Sequence, residues 1–347
     1  MKNGWFILGL TLVAVTFLVV APVDAIEQPA AGTATRDGAL IDPKMENIDK
    51  AWGLWGERVG VSGFPFLKIG QGARAEGMGG AYTAIADDIN SAFWNPAGLG
   101  HVENVAYTLN YTRWFAESKV ISGALAFNAG FGVIGLSVTS FAAQEFEVTT
   151  PTAPWGSGTM AQVGDIAIGA QFAKKMTDKF MLGGQIRWIQ EDLYVEKVST
   201  IDYTVGTHFY TGYRSSRIAM GFRNLGPNVK ATEGGFTSQM PTTYSLAGAM
   251  EVYGQKGDPS YATLSVEHEF ITDFRPTTRI GGELWVQNTL ALRGGYRTHM
   301  ALESWSFGAG LKHELVGGKL ITVDVSYHNE DLGLFDAPIR LTLGGTF

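Results

Sequence analysis

The sequence predicts an all-β protein, a transmembrane antiparallel barrel of about fourteen strands. Three observations support this prediction. Segments of alternating apolar and polar residues run from Val105 to the last residue, short and long connections alternate between them, and the composition is unusual. The chain has 45 glycines in 347 residues, with 12% aromatic and 17% charged residues. This balance suits many strands with tight turns and an apolar exterior.

The first 25 residues have the features of a secretory signal peptide that is cleaved after Ala25. Lys2 supplies a positive charge, Trp5 to Val20 is apolar, and short side chains stand at Val23 to Ala25. A membrane anchor is less favoured, because the apolar run is short and no cysteine follows it to accept a lipid. Residues 26–62 mix Pro, Gly, Ala and charges without a period, which predicts a flexible mature N-terminus.

Composition excludes several classes of protein. The chain has no cysteine, which excludes disulfides, zinc-thiolate sites and thiol catalysis. Removing residues 1–25 deletes one lysine and one aspartate, so the formal charge stays at −7, which argues against a nucleic-acid partner. No later stretch reaches the roughly 18 apolar residues of a membrane helix. A soluble periplasmic β protein, such as a sandwich or propeller, and an outer-membrane barrel remain.

The final segment shows the alternation clearly. From Ile339 to Phe347, apolar side chains and Arg340, Thr342 and Thr346 fall on opposite faces. Such segments are about 9–11 residues long, the length that a tilted strand needs to cross a bilayer. The predicted strands are 105–112, 119–128, 132–140, 165–173, 180–190, 200–210, 217–225, 243–253, 261–270, 278–286, 289–297, 305–315, 319–328 and 338–347.

Connection lengths favour the outer-membrane barrel over the soluble alternative. Connections after even-numbered strands are mostly short, as at 129–131 and 316–318, whereas several after odd-numbered strands are long, as at 141–164, 226–242 and 329–337. Short periplasmic turns and long extracellular loops are typical of these barrels. An even strand number also returns both chain ends to the periplasm, where an exported N-terminus would begin. The chain is therefore expected in the bacterial outer membrane, surrounded by its lipid.

The stretch GQGARAEGMGG, Gly70 to Gly80, begins with the G-x-G-x-x-A form of a dinucleotide-binding loop. That site needs a buried strand before it and a helix after it. Here Pro65 interrupts the preceding residues 63–69, and more glycine follows. We therefore interpret the stretch as something other than a phosphate site.

Residues 72–84, 86–88 and the Trp-Asn-Pro-Ala-Gly-Leu element at 94–99 resemble the N-terminal signature of PorV/PorQ outer-membrane proteins. These proteins are relatives of the FadL fatty-acid channels, which share the Asn-Pro-Ala-Gly element. The resemblance implies a fourteen-stranded barrel in which residues 63–104 fold into the lumen as a hatch, or plug, with 105–347 as the barrel. It also implies either a role in type IX secretion, binding a secretion pore or exported cargo, or uptake of hydrophobic compounds.

Physical reasoning supports a plug, because fourteen strands enclose more space than wall side chains can fill. Asp87, Asp88 and Asn95 are expected to cap short helical turns or to bind wall arginines. Phe64, Phe66, Phe93 and Trp94 are candidate contacts for a lipid or fatty-acid-like ligand, or they pack the plug. The residues expected to form the hatch motif are Gly72, Arg74, Gly77, Met78, Gly79, Gly80, Asp87, Asp88, Asn95 and Pro96.

No constellation for enzymatic chemistry is found, and neither a cofactor nor a metal is expected. The six histidines form no HExxH motif, no serine sits in a G-x-S-x-G elbow, and Asp87-Asp88 with Asn90 lacks EF-hand spacing. Glu267 and Glu269 share a strand face and are interpreted as lumen charges. The charges expected to brace barrel and hatch are Arg187, Asp202, Arg217, Arg223, Glu267, Arg279, Glu283, Arg293, Arg297, Lys312, Glu314, Asp324 and Arg340.

Phe347, a terminal aromatic on an alternating strand, resembles the signal read by the barrel-assembly machinery; alternatively it is a lipid-facing interface residue. Two functions remain open, a protein-binding secretion component and a FadL-like transporter. The GARAxGMGGAYTA form at 72–84 is closer to PorV/PorQ than to FadL and favours the first.

Overall fold

The computed structural model describes residues 62–194, 196–230, 237–300, 303–329 and 335–347, together with 35–36, 39–40 and 60. The predicted signal peptide and most of the predicted flexible N-terminus lie outside these residues. The chain divides into two units, Met1–Glu57 and Arg58–Phe347. In the first, Thr35–Arg36 pairs antiparallel with Ala39–Leu40. The second contains the barrel.

Fourteen antiparallel strands close into a barrel, which confirms the predicted fold class. Each strand pairs with its neighbours in the chain, and the last pairs with the first, Ile339 facing Arg113 and Thr346 facing Ala106. No helix among the described residues is long and apolar enough to cross a membrane. The strands are β1 Val105–Arg113, β2 Lys119–Asn128, β3 Val133–Ala142, β4 Gly164–Lys175, β5 Phe180–Asp192, β6 Lys197–Tyr210, β7 Arg217–Leu225, β8 Thr243–Tyr253, β9 Tyr261–Ile271, β10 Thr277–Val286, β11 Leu290–Arg297, β12 Trp305–Leu315, β13 Lys319–His328 and β14 Ile339–Thr346.

Tight turns connect the strands at one end of the barrel, which we call the turn end. Three-residue turns join Val286 to Leu290 and Leu315 to Lys319, and in them Gln287 and Asn288 (52° and 51°) and likewise Gly317 and Gly318 have positive φ. Residue 104 and Phe347 lie at the same end. The opposite, loop end carries the long connections, in which Phe146–Glu147 pairs with Met160–Ala161 and Val229–Lys230 with Thr237–Ser238.

The barrel is apolar outside and polar inside. On β14, Leu341 is 49% exposed whereas Arg340 is 1% exposed, and on β1 the same contrast separates Leu109 from Asn110. Water-soluble proteins have the opposite arrangement. Because Cβ atoms alternate between the two faces of a strand, the period-2 pattern of the sequence produces a wall that needs lipid outside.

Residues 62–104, which we call the luminal segment, lie inside the barrel. The segment contains two short α-helices, α1 Ala73–Gly77 and α2 Ser91–Trp94, and 3₁₀ turns at Pro65–Lys68 and Pro96–His101. Gly79 and Gly80 both have positive φ (65° and 72°), which ends α1 in a conformation that favours glycine. From Gln71 to Leu99 all residues are buried except four that are partly buried, namely Arg74, Asp87, Asp88 and Phe93.

The luminal segment runs from the loop end to the turn end. Ser62 forms a bridge with Gln239, in the connection between β7 and β8. At the other extreme, the Val102 carbonyl accepts a 3.4 Å hydrogen bond from Asn128 Nδ2, at the turn end of β2. Both ends of the barrel itself therefore lie at the turn end, whereas the segment before β1 starts at the loop end.

Candidate functional site

The wall approaches the luminal segment so closely that only glycine fits at several positions. A Cβ on Gly295 would lie 2.1 Å from the Gly79 amide nitrogen, and one on Gly281 would lie 2.4 Å from the Met78 carbonyl oxygen. A Cβ on the adjacent Gly294 would meet nothing within 4 Å. The inward glycines are therefore required by contact with the segment rather than by the strands that contain them.

The same contact occurs on the other side of the lumen. A Cβ on Gly183 would lie 2.3 Å from the Ala97 amide nitrogen, and one on Gly206 would lie 2.0 Å from Asn95 Oδ1. Sequence reasoning missed these wall positions. A usable signal existed, because glycine inside a strand often marks a close backbone approach. Gly-Gly doublets interrupt four predicted strands, at 183–184, 281–282, 294–295 and 344–345, and the first three meet the segment.

Arg74 on α1 joins the luminal segment to the wall. Its Nε and Nη2 donate to the carboxylate of Glu283 on β10 at 2.9 and 2.8 Å, and its Nη1 donates to Asp87 and Asp88 at 2.6 and 2.8 Å. Of the two roles expected for Asp87 and Asp88, pairing with a wall arginine is not found, whereas Asp88 Oδ1 accepts from the Asn90 amide at 2.7 Å, directly before α2. Their arginine belongs to the segment itself, and Lys256 of the turn between β8 and β9 also binds Asp87. Although burial opposes ionisation, Arg74 and Lys256 hold the pKa of Asp87 well below its usual range.

Glu76, also on α1, lies at the centre of a second cluster. Its Oε2 is 2.7 Å from Arg297 Nη2 and 2.9 Å from Arg340 Nη2. His328 and Glu303 complete the cluster, and Glu76, Glu303 and His328 could place ligand atoms within 4.8 Å of one another. The two arginines already neutralise the two carboxylates, so the cluster offers no excess negative charge for a metal ion.

Glu267 on β9 holds the middle of the luminal segment. Its carboxylate accepts hydrogen bonds from the Tyr82 and Thr83 amides, at 3.0 and 2.9 Å, and from the Thr83 hydroxyl at 2.8 Å. Glu269 instead binds Arg223 and Arg279 of the wall. Each carboxylate thus has its own buried partners, which fits their interpretation as lumen charges.

Asn95 and Pro96 begin the last turn of the segment. Asn95 Nδ2 donates to the Thr83 and Thr207 carbonyls, both at 3.1 Å, and its Oδ1 caps the 3₁₀ turn by accepting from the Ala97 amide at 3.2 Å. The predicted capping by Asn95 is therefore present. Pro96 occupies the first position of the turn, where its missing N–H costs no hydrogen bond.

A cavity of about 40 Å³ lies between the segment and the wall. Phe66, Phe93 and Trp94 line it, three of the four aromatic residues that were candidate ligand contacts. The fourth, Phe64, is buried with Phe66 in a separate apolar cluster at the loop end. Trp94 donates from Nε1 to the Gln71 carbonyl at 2.8 Å, so this ring is fixed in the wall of the cavity.

The cavity is lined by balanced charges. Lys68 pairs with Asp273 at 2.9 Å, Arg297 with Glu76, and Arg223 and Arg279 share Glu269. The space suits a few water molecules, since one water needs about 10–15 Å³. Its chemistry therefore differs from that of a dry apolar site.

The family model described as "Type IX secretion system protein PorV" matches residues 55–278. This chain belongs to the PorV family. Among curated protein sequences, none matches this chain.

Solved structures with the same fold are outer-membrane barrels. The toluene transporter TodX of P. putida matches with a TM-score of 0.54 and 11% identity, over 80% of this chain and 99% of that one. The monoaromatic hydrocarbon channel CymD matches with a TM-score of 0.54 and 10% identity, over 80% and 98%. A FadL homologue of Pseudomonas aeruginosa matches with a TM-score of 0.48 and 12% identity, over 80% and 98%. The PorV-family chain is thus an outer-membrane barrel that shares its fold with TodX and CymD.

Phe347 stands on the outer face of this PorV-family barrel, at the turn end. It is 53% exposed, and its ring stacks on Tyr107 with centroids 5.4 Å apart. Its amide donates to the Val105 carbonyl at 2.8 Å, so the pairing of the last strand with the first continues to the final residue. Its role as an assembly signal stays a prediction, as does the hatch role of the segment.

Proposed function

We propose that this PorV-family barrel is a non-enzymatic, protein-binding component of type IX secretion, which binds a secretion pore or exported cargo through its loop end. The observation that carries the proposal is the tight packing of the luminal segment. Its residues from Gln71 to Leu99 are buried or partly buried, and both sides of the wall touch it. A barrel filled in this way suits a scaffold better than a conduit.

Cavity size argues against a solute path through this arrangement. The cavity beside Phe66 and Trp94 has a volume of about 40 Å³, whereas a cavity that binds benzene has about 150 Å³. Passage of even a small aromatic compound would require the segment to leave the wall, which breaks the Arg74 and Glu76 ion pairs. Removing one partner from a buried pair typically costs about 3–5 kcal/mol.

The connection between β3 and β4 supplies a surface suited to a protein partner. Trp155 is 98% exposed, and Phe146 and Met160 are also exposed. Hydrogen bonds fix the loop, among them Val148 N–H to the Thr159 carbonyl at 2.9 Å and Gly158 N–H to Glu147 Oε1 at 2.7 Å. A rigid loop that presents an exposed tryptophan is typical of a binding hot spot.

The second candidate function is transport of hydrophobic small molecules. The placement of Phe66, Phe93 and Trp94 beside the cavity favours it, and TodX and CymD are described as hydrocarbon transporters or channels. Their identity to this chain is 11% and 10%, so they support the shared fold and no more. The polar, charge-balanced lining fits a neutral hydrocarbon poorly.

Affinity purification from native outer membranes tests the two functions. We expect the wild-type barrel to retain a large membrane partner, and the Trp155→Ala variant to lose at least about tenfold in affinity, since a hot-spot residue contributes about 2 kcal/mol or more. Val316→Ala is the control, because Val316 is fully exposed at the turn end. Uptake of an apolar solute by barrel-containing liposomes, with no partner retained from native membranes, would contradict the proposal.

A further inference from the structure

We propose that the turn end of the barrel carries a binding site for the headgroups of anionic phospholipids, formed by four cations of two adjoining turns. The cations, which we call the basic patch, are Lys174, Lys175, Lys179 and Arg214. The proposal concerns the lipid that surrounds the barrel, and it does not rest on either function considered above.

Two turns meet at the basic patch. Residues 176–179 connect β4 to β5, and residues 211–216 connect β6 to β7. The Tyr210 amide donates to the Lys179 carbonyl at 2.8 Å, which joins the first turn to the end of β6. A Cβ on Gly212 would lie 2.7 Å from Lys179 Nζ, so this ammonium group lies against the second turn. The four cations therefore share one sector of the turn end.

The charges of the basic patch are not neutralised by the protein. No carboxylate of the described residues lies within 4.0 Å of any of its four cations. The two turns contain a single acidic residue, Asp178, which is exposed. The lumen differs, because Arg74 and Arg297 each contact more than one carboxylate there. The patch is thus a local concentration of positive charge in a chain whose formal charge is −7, and it attracts anions.

Aromatic side chains place the basic patch at the level of the bilayer surface. Phe172 on β4 and Phe131 in the turn between β2 and β3 are exposed, and their rings stack with centroids 6.0 Å apart. Lys174 follows Phe172 by two residues and so points to the same outer face. In the second turn, Arg214 Cζ lies 5.9 Å from the centroid of the exposed Tyr213 ring. Aromatic residues gather at membrane interfaces, where lysines extend their ammonium groups to the headgroups.

An anionic phospholipid fits both the charge and the depth of the basic patch. Short turns of outer-membrane barrels face the periplasm, so the patch borders the periplasmic leaflet, which is built of phospholipids. Phosphatidylglycerol carries a net negative charge, whereas phosphatidylcholine is zwitterionic. A basic residue beside an anionic membrane surface strengthens binding about fivefold, or about 1 kcal/mol. An acidic segment of a periplasmic protein would match the charge but not the outward position of Lys174 beside Phe172.

Fluorescence quenching by labelled lipids tests the proposal. Because the chain has no cysteine, a single introduced thiol can carry a bimane label. Leu182→Cys places the label on the outer face, since Leu182 is 41% exposed and lies directly across from Lys174 on the neighbouring strand. Leu290→Cys, also exposed at the turn end, gives a control position on β11. Each labelled barrel is reconstituted in phosphatidylcholine vesicles with a small, fixed fraction of a lipid that carries a nitroxide on its acyl chain, either phosphatidylglycerol or phosphatidylcholine.

We expect the phosphatidylglycerol nitroxide to quench the label at Leu182→Cys as strongly as a roughly fivefold higher fraction of the phosphatidylcholine nitroxide. At Leu290→Cys the two lipids should quench equally. The excess quenching at Leu182→Cys should fall at 1 M salt, because the screening length falls to about 3 Å.

Replacing the whole basic patch with glutamine should remove this excess quenching. The four substitutions are Lys174→Gln, Lys175→Gln, Lys179→Gln and Arg214→Gln. Lys319→Gln is the matched control, because Lys319 is exposed at the turn end on β13, outside the patch, and its loss should leave the excess unchanged. Heat-modifiable migration shows that each variant is folded.

Two results would overturn the proposal. Equal quenching by the two lipids at Leu182→Cys would leave the basic patch to an acidic segment of a periplasmic protein. A preference for phosphatidylglycerol that survives the four glutamine substitutions would assign lipid binding to other groups of the barrel. The vesicles contain no secretion partner, so these results are independent of whether the proposed function is correct.

Discussion

The two halves of the inner wall hold the luminal segment by different means. Strands β9 to β14 present charged groups, among them Glu267, Glu283 and Arg297, which bind residues 74 to 83. Strands β1 to β5 meet the segment mainly through glycine and neutral polar side chains, such as Gly183, Asn110 and Gln185. We call these the charged half and the neutral half. The part of the segment that packs on the neutral half lies close in sequence to β1. Its covalent connection to that strand therefore helps to keep it in place. The part on the charged half, more distant from that junction, is fixed by ion pairs.

This difference predicts how each half responds to substitution. Each hydrogen bond between neutral groups makes a net contribution of about 0.5–1.5 kcal/mol to stability. Loss of one partner from a buried ion pair costs about 3–5 kcal/mol of stability. Polar substitutions should therefore release the segment from the charged half far more easily than from the neutral half. Both halves should be sensitive to added volume where the backbone of the segment meets a wall glycine, at Gly183 in the neutral half and at Gly281 and Gly295 in the charged half.

The largest effect is expected from Glu76→Ala in the charged half. This change leaves Arg297 and Arg340 buried without their central carboxylate, at a cost of about 3–5 kcal/mol. A thiol at Ala81, which is 0% exposed, reports on release of the segment. We expect maleimide labelling of Ala81→Cys to become roughly a hundred- to several-thousand-fold faster, because 1.4 kcal/mol corresponds to tenfold.

Glu314→Ala is the matched control for this variant, because Glu314 lies on β12 but is exposed. It should leave labelling of Ala81→Cys unchanged. Equal labelling rates in the Glu76→Ala and control proteins would show that ion pairs do not hold this part of the segment.

An intermediate effect is expected in the neutral half from Gly183→Ala. The added Cβ would lie 2.3 Å from the Ala97 amide nitrogen, a backbone atom that cannot move aside without shifting the turn at Pro96. Overpacking of this kind costs about 1–3 kcal/mol. Labelling of a thiol placed at the buried Ala92 should therefore rise by roughly 5- to 150-fold.

The neighbouring substitution, Gly184→Ala, provides the control on the same strand. Its Cβ would meet only the Thr204 carbonyl oxygen, at 3.8 Å, on the outer side of the wall. Faster labelling in both variants would mean that the strand itself, rather than its contact with Ala97, requires glycine. The contact between Gly183 and the segment would then not explain how the neutral half holds the segment.

The barrel could be predicted from the sequence because its determinants are local. Alternation along a strand assigns each residue to a face, so Arg340 and Leu341 could be placed on opposite faces before any pairing was known. Connection lengths then indicated which end of the barrel carries the long loops, and in the structure each strand pairs with its neighbours in the chain.

The contacts of the luminal segment could not be predicted in the same way. Arg74 and Glu283 are 209 residues apart in the chain, and their meeting depends on the height at which each strand crosses the barrel. Alternation assigns a residue to a face of the strand but not to a height in the barrel. Asp87 was therefore expected to cap a turn or to bind a wall arginine, and its arginine partner is Arg74 of the segment itself. No sequence signal indicates that Gly60 starts at the loop end, because that position depends on hydrogen bonds to Asp273.

The smallest effect is expected from Lys256→Ala, at the rim of the charged half. The Lys256 side chain is 52% exposed, whereas its partner Asp87 is 9% exposed and keeps its contact with Arg74 at 2.6 Å. An ion pair with one partner in solvent contributes at most about 1 kcal/mol, so labelling of Ala81→Cys should rise by no more than about fivefold. This increase should shrink at high salt, because the screening length falls to about 3 Å at 1 M. Lys179→Ala, in another short turn, is the control. An effect as large as that of Glu76→Ala, unaffected by salt, would mean that the turn at Lys256 contributes most to holding the segment. The buried ion pairs would then depend on the position of this turn.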